Sequence, residues 1–258
     1  MKLKDKVAII TGGGRGIGRE IALAFAREGA DVVVSGRQRD VLEQTANEIE
    51  GFGGRPVVSV TDVGDEFQVI KMVETANESF GRIDILVNNA GIAGPTSPLS
   101  NLSRESWDEV MRVNLTSAFL CARAVIPQMV EQRSGKIINI SSVAGKMAYA
   151  LRTPYAASKW GMLGLSASLA QELGSHNIQV NAICPGPTSG DRMTAVIKGR
   201  ATELGISVEE MERTYVEGTA LKRMVDPTHI AAAVVFLCSD AGNSITGEAL
   251  EISGGYAL

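Results

Sequence analysis

Short apolar runs rich in β-branched residues recur along the chain, and between them apolar residues return every three or four positions. The first pattern reads as strands buried on both faces of a parallel sheet, the second as amphipathic helices lying on that sheet. Lys6 to Thr11 (KVAIIT), Asp31 to Ser35 (DVVVS), Arg55 to Val60 (RPVVSV) and Ile83 to Val87 (IDILV) are the first four strands. Lys136 to Ile140 (KIINI), Ile178 to Cys184 (IQVNAIC) and Ala249 to Ile252 (ALEI) are the last three. Helices are expected over Arg19 to Glu28, over Val41 to Phe52 before Gly53-Gly54, and from an Asp65 cap to Phe80 before Gly81. Leu99 to Gln132 holds one or two more, starting near Ser103; others run from Thr153 to Leu173 and from Asp226-Pro227 to Leu237.

One stretch breaks the alternation. Thr188 to Met224 contains no strand, but it has a charged helical segment at Gly205 to Met211, with Ser207 as N-cap and Glu210 at capping-box distance. At the carboxyl edge of a sheet, a long insertion of this kind reads as an active-site lid over about 188–224. Arg192, Met193 and Tyr215 are its candidate substrate contacts, although a lid arginine also reads as a solvated charge. Strands alternating with helices, without repeat or linker, predict an α/β protein: a single doubly wound Rossmann domain over 1–258 with a seven-stranded parallel sheet and a helical lid before the last helix.

Composition narrows the partners. A net charge of −4 argues against nucleic acid or an anionic membrane surface, since both require basic patches. No uninterrupted apolar run approaches the ~18 residues that span a bilayer, and Met1 to Lys6 has no apolar core of a signal peptide, so a cytoplasmic protein is expected. Cys121, Cys184 and Cys238 are scattered and read as reduced thiols. His176 and His229 stand far apart without ligand-like companions, and no catalytic metal is expected.

Candidate chemistry lies at the carboxyl ends of the strands. Gly12-Gly-Gly-Arg15-Gly16-Ile17-Gly18 joins the first strand to the first helix, where glycines permit a tight turn and a helix N-terminus offers free N–H groups to a pyrophosphate. At the end of the second strand, the place of the acidic residue that contacts adenosine ribose in NAD-binding folds is taken by Gly36, followed by Arg37. With Arg15 in the glycine loop, two guanidiniums near one phosphate favour NADP(H), with NAD(H) possible; the plainer reading is that Arg37 and Arg39 are solvated loop charges. Asn88-Asn-Ala-Gly91 supplies small residues along a bound nucleotide. Asn114 falls within a helical segment, where asparagine is unfavourable; it is either a satisfied buried amide or a helix distortion that binds water. Ser142 follows the fifth strand, and Tyr155 and Lys159 stand at i and i+4 on one helix face. An ammonium beside a phenol favours its ionised form and makes an acid/base centre for an alcohol or carbonyl, whereas Tyr-x-x-x-Lys alone also occurs on helical surfaces.

These motifs in this order resemble the short-chain dehydrogenase/reductase family over nearly the full length. The matches are Thr11 to Gly18, Asp62-Val63, Asn88 to Gly91, Asn114, Ser142, Tyr155-x-x-x-Lys159 and Pro185-Gly186. The resemblance implies Tyr155 as general acid/base, Ser142 as holder of the substrate oxygen, Lys159 on the nicotinamide ribose and Asn114 as anchor of a proton-relaying water. It also implies Gly12, Arg15, Gly16, Ile17 and Gly18 at the pyrophosphate, Asp62 and Val63 at the adenine, Asn89, Ala90 and Gly91 on the adenosine side, and Pro185 and Gly186 beside the nicotinamide. The family's threonine after Pro-Gly is displaced: Gly190 occupies its place, so Thr188 or Ser189 takes that role or neither does. Ser253 stands where an aspartate usually precedes the paired glycines. The implied activity is NADP(H)-dependent interconversion of a ketone (3-oxoacyl, or small polar or anionic) and a secondary alcohol. An NAD-dependent alcohol, polyol or hydroxy-acid dehydrogenase and a non-catalytic nucleotide sensor are the alternatives. A homotetramer, or a homodimer, is expected from the same resemblance and from the small residues after Lys159.

Overall fold

The computed structural model describes residues 1–256. Its strands are β1 (Val7–Thr11), β2 (Asp31–Gly36), β3 (Pro56–Val60), β4 (Ile85–Asn88), β5 (Gly135–Ile140), β6 (Ile178–Pro185) and β7 (Ala249–Ile252). They form one sheet in the order β3-β2-β1-β4-β5-β6-β7, and every pair is parallel. The seven-stranded parallel, Rossmann-type sheet expected from the apolar runs is therefore present. Successive residues of each strand point to opposite faces, and the packing divides accordingly. Ala8, Ile10, Val32, Val34, Ile85 and Val87 join one core, while Ile9, Val33, Leu86 and Ile137 join the other.

Helices α1 (Gly16–Arg27), α2 (Arg39–Gly51) and α9 (Pro227–Cys238) cover the first face through Phe25, Ile49 and Val234. Helices α3 (Glu66–Phe80), α5 (Ser117–Gln132) and α6 (Thr153–Leu173) cover the second through Met72, Val125 and Leu173. Sheet order reverses between β1 and β4, where a doubly wound sheet opens a crevice at its carboxyl edge.

Two expectations need correction. Helix α1 starts at Gly16 rather than Arg19: Gly16 turns the chain into it with φ +51°, and Ile17 and Gly18 already lie in the helix. The stretch after β6 holds two helices rather than one. Helix α8 (Val208–Glu217) is capped by Ser207, whose Oγ accepts from Glu210 N at 3.0 Å. Helix α7 (Asp191–Leu204) precedes it and packs Ile197 and Ala201, one turn apart, against Met211 and Tyr215. The run α4 (Arg104–Met111), a π turn (Arg112–Thr116) and α5 is long and apolar enough by composition to cross a membrane. Half of its most apolar window is buried, and α5 packs as a core helix against β4 and β5.

Candidate active site

The crevice is built from backbone first. Thr11 ends β1, and its Oγ1 accepts from Asn89 N and Ala90 N at 3.0 Å each while donating to Val87 O at 3.2 Å. The Asn89 amide donates in return to Thr11 O at 2.9 Å and Gly12 O at 3.2 Å. The two strand ends are thus tied together, and the Asn89 side chain supports the glycine turn from behind. Gly12 turns with φ +66°, and Gly18 lies so close that a Cβ on it would sit 2.2 Å from the Gly12 carbonyl oxygen. Helix α1 has no side-chain N-cap at Arg15, a feature it shares with α2, α6 and α7, but of these only α1 follows the glycine turn. Its first N–H groups are left for a ligand, as an anion site requires. A turn with glycine at 12, 13, 14 and 16 before an uncapped helix fits the pyrophosphate of a dinucleotide.

A cavity of about 640 Å³ runs from this turn along the carboxyl ends of the strands. Gly12, Arg15, Gly16 and Ile17 line one end, with Arg37, Asp62 and Val63 beside them. Asn89, Ala90 and Gly91 line the middle, and Pro185, Gly186 and Thr188 the far end with Ser142, Tyr155 and Lys159. Gly18 and Asn114 stand behind the wall. Arg15 reaches Gln38 with a hydrogen bond. The Asp62 carboxylate is held by Arg112, whose Nη1 and Nη2 donate at 3.1 Å each, and it accepts from Gly64 N at 2.9 Å. Desolvation works against its charge, but Arg112 and the Gly64 amide outweigh it and keep the carboxyl below its ordinary range. Thr188 donates its hydroxyl proton to Gly186 O at 3.0 Å, leaving its oxygen free to accept. Ser189 is turned toward Val225 O at 3.3 Å.

Ser142 follows β5, and its Oγ accepts from Ala144 N at 3.1 Å, which leaves the hydroxyl proton available to the cavity. Tyr155 and Lys159 lie one turn apart on α6, with Lys159 Nζ 5.8 Å from the Tyr155 ring centre. Lys159 Nζ donates to Ile140 O at 2.8 Å and is otherwise desolvated. Burial, reinforced by the Arg192 charge, lowers its pKa to about 7.

Asn114 sits in the π turn and is fully buried. Its Oδ1 accepts from Ile92 N at 2.7 Å, and its Nδ2 donates to Ile92 O at 3.1 Å and Ser158 Oγ at 3.2 Å. The helix distortion and the satisfied buried amide therefore coexist at one residue. Ser158 in turn donates to Tyr155 O at 2.7 Å, so the amide is linked through one hydroxyl to the tyrosine backbone. Any water at this position would have to take the Asn114 backbone, because the side chain is engaged.

Arg192, Met193 and Tyr215, the candidate substrate contacts, line the cavity, and beside them stand three residues that the sequence does not single out: Arg152, Tyr149 and Tyr256. Arg152, at the N-cap of α6 and 2% exposed, lies 5.1 Å from the Tyr155 ring centre and 5.6 Å from that of Tyr149. Tyr149 hydrogen-bonds Tyr215 of α8, and Tyr215 stacks on Tyr256. Arg192 of α7 donates across the cavity to Gly91 O. The position of Arg152, three residues before Tyr155, is the one sequence signal that places it at the same helix end.

A family model described as short chain dehydrogenase matches residues 6–201. The chain is 37% identical to a 3-oxoacyl-[acyl-carrier-protein] reductase FabG of Thermotoga maritima, covering 100% of both chains. Its fold is similar to that of an NAD+-bound xylitol dehydrogenase, with TM-score 0.96 and 31% identity over 99% of this chain and 100% of the other. It is similar as well to an actinorhodin polyketide ketoreductase with NADPH, with TM-score 0.94 and 32% identity over 98% of this chain and 97% of the other. Sequence, fold and crevice agree: the chain belongs to the short-chain dehydrogenase/reductase family of NAD(P)-dependent oxidoreductases.

Proposed function

We propose that the chain interconverts a ketone and a secondary alcohol with NADP(H), and that Tyr155 is its general acid/base. The observation that carries this reading is the meeting of Ser142, Tyr155 and Lys159 at one end of a single cavity whose other end is the glycine turn. A bound nicotinamide cofactor supplies or accepts the hydride.

The residues of the chain account for the remainder. Ser142 directs a hydroxyl proton at the substrate oxygen, since its own lone pair is engaged by Ala144 N. Tyr155 gives its phenolic proton to that oxygen in reduction and recovers it in oxidation. Lys159 exchanges protons near neutrality, with a pKa lowered to about 7 by burial, and has N–H groups beyond the Ile140 bond for ribose hydroxyls. Asn114 holds the Tyr155 backbone through Ser158. Gly16 and Ile17 would meet the pyrophosphate, and Thr188 Oγ1 would accept from the carboxamide. Arg37 pairs with no carboxylate within 4.0 Å among the described residues, while its neighbour Asp62 is engaged by Arg112. Arg37 is therefore available, with Arg15, for a 2′-phosphate.

A second reading, oxidation of a polyol with NAD, draws on the likeness to xylitol dehydrogenase. Fluorescence titration with NADPH and NADH separates the two: tighter NADPH binding is expected, and a clear NADH preference overturns the cofactor assignment. Tyr155→Phe is expected to lose about 10²–10⁴-fold in kcat while binding cofactor as before. Retention of most of kcat would remove Tyr155 from the mechanism.

A further inference from the structure

We infer that Arg152 is an anion-recognition residue of the substrate cavity, so that the ketone handled beside Tyr155 carries a carboxylate or a sulfonate. This rests on the oxidoreductase reading and deepens it from a ketone to a small anionic ketone.

Arg152 is among the largest fully buried side chains of the described residues, at 2% exposure. A guanidinium keeps its charge under all ordinary conditions and offers five N–H donors. One is accounted for: Nη2 donates to Ala93 O at 2.6 Å. Nε and Nη1, which carry three N–H bonds, are buried and have no acceptor. Among the described residues Arg152 takes part in no ion pair within 4.0 Å. The rings of Tyr149 and Tyr155 give partial compensation at 5.6 and 5.1 Å, but π faces leave in-plane donors unsatisfied. A buried cation in this state is strongly unfavourable unless something else pairs it.

Its surroundings show what that partner is. Arg152 lines the cavity together with Ser142 and Tyr155, at the opposite end from Arg15 and Arg37, so the cofactor phosphates are not its counter-charge. Arg200 adds positive charge 5.1 Å from the Tyr149 ring centre, with its own Nε buried and unpaired. Of the carboxylates that line the cavity, Asp62 is paired with Arg112 at the adenine end, and Asp191 is exposed at the start of α7. An oxoanion on a short carbon chain from the reacting carbonyl would meet the free edge of Arg152 while its ketone oxygen faces Tyr155. Arg192 is the weaker candidate, because it is exposed and bonded to Gly91 O.

Acetoacetate and methyl acetoacetate present the same ketone with and without a charge, and 2-oxopropanesulfonate replaces carboxylate by sulfonate. Each is titrated calorimetrically into full-length enzyme saturated with the oxidised cofactor, where no reduction occurs, and each is assayed separately for reduction. At least one anion is expected to bind ten or more times tighter than the ester, and the better of the two identifies carboxylate or sulfonate. Arg152→Gln should erase at least tenfold of that discrimination in binding and in kcat/KM, and Arg152→Lys should restore part of it. Should Arg152→Gln fail to fold, Arg152→Lys alone should still lower the discrimination at least threefold. Equal binding of anions and ester by the wild type, or full discrimination in a folded Arg152 variant, overturns the inference. If the anions bind through Arg152 but nothing is turned over, the oxidoreductase reading fails and the anion site stands. If the ester is reduced as well as the acid whatever occupies position 152, the anion site fails alone.

Discussion

The hydroxyls of Tyr149 and Tyr215 meet at 2.6 Å, joining the loop before α6 to helix α8 across the substrate end of the cavity. Burial, the largest influence, pushes the Tyr215 phenol upward, so this bond persists through the neutral and mildly alkaline range. Tyr215 also stacks on Tyr256, with ring centres 6.1 Å apart, which ties in the C-terminal segment as well. Tyr215→Phe removes the bond and keeps the stack. A net hydrogen bond is worth about 1 kcal/mol, or roughly a fivefold rise in KM with a smaller change in kcat. Tyr149→Phe should do the same, and the double variant should be no worse than either single one, because both remove one interaction. Additive losses in steady-state kinetics would show that the two rings act separately.

Arg112 links three parts of the molecule by holding Asp62 after β3 and Glu109 on α4 from within the π turn. Both carboxyls lie below their ordinary range: Glu109 chiefly through its hydrogen bond to Arg112, Asp62 through Arg112 and the Gly64 amide acting against desolvation. A depressed carboxyl contributes stability that is present above its unfolded pKa and lost as pH falls through the folded one. The groups are partly exposed, so Arg112→Ala should cost only about 1 kcal/mol, near 2–4 °C in Tm at pH 7. The gap between wild-type and variant melting curves should close from pH 5 to pH 3. A gap that stays constant over that range would refute the ionic account.

The split between what the sequence shows and what it hides follows the reach of each interaction. KVAIIT reads as a buried strand because almost every residue in it is apolar or β-branched, and the glycines after it announce a turn on local grounds alone. Tyr155 and Lys159 are legible because helical spacing places them together. Asp62 reads as a nucleotide contact, and nothing local shows that Arg112, 50 residues on, holds its carboxylate. Asn89 bonds Thr11 across 78 residues. Arg152 draws no notice in the sequence, since burial of an unpaired guanidinium runs against the rule for its residue type. Helix α7 is hidden because Thr194, Gly199 and Thr202 lower its helix propensity, although Met193, Val196, Ile197 and Ala201 keep helical spacing.

Lys159 sets function against stability. Its ammonium is removed from water for a single bond to Ile140 O, and burial brings its pKa to about 7 from an unfolded value near 10.4. The unfolded chain therefore holds the proton more firmly, and the folding penalty is full below pH 7 and relieved as pH rises toward 10. Lys159→Met replaces the cation with an apolar chain of similar length. Without cofactor the variant is expected to melt above the wild type at pH 6, with the difference shrinking by pH 9.5, and to have lost nearly all turnover. A variant that melts lower at every pH would mean that the Ile140 bond outweighs the desolvation.

Gly18 tests whether the glycine turn is a shaped cradle or an ordinary loop. A Cβ there would stand 2.2 Å from the Gly12 carbonyl oxygen and 2.3 Å from Asn89 Nδ2, and the first of these is backbone that cannot swing aside. Relief requires α1 to retreat from the turn, which takes its uncapped N–H groups away from the crevice and loosens the Asn89 clamp on Thr11. Gly18→Ala should therefore lose about 1–3 kcal/mol from overpacking and weaken binding of NADPH and NADH alike by at least tenfold. Gly51→Ala, at the end of α2 where a Cβ meets nothing within 4 Å, is the matched control and should leave cofactor affinity unchanged. Melting curves with and without cofactor separate the two effects: the tenfold weakening should make the stabilisation by a fixed cofactor concentration smaller in Gly18→Ala than in Gly51→Ala. Equal cofactor-induced shifts in both variants would mean that α1 does not carry the pyrophosphate site.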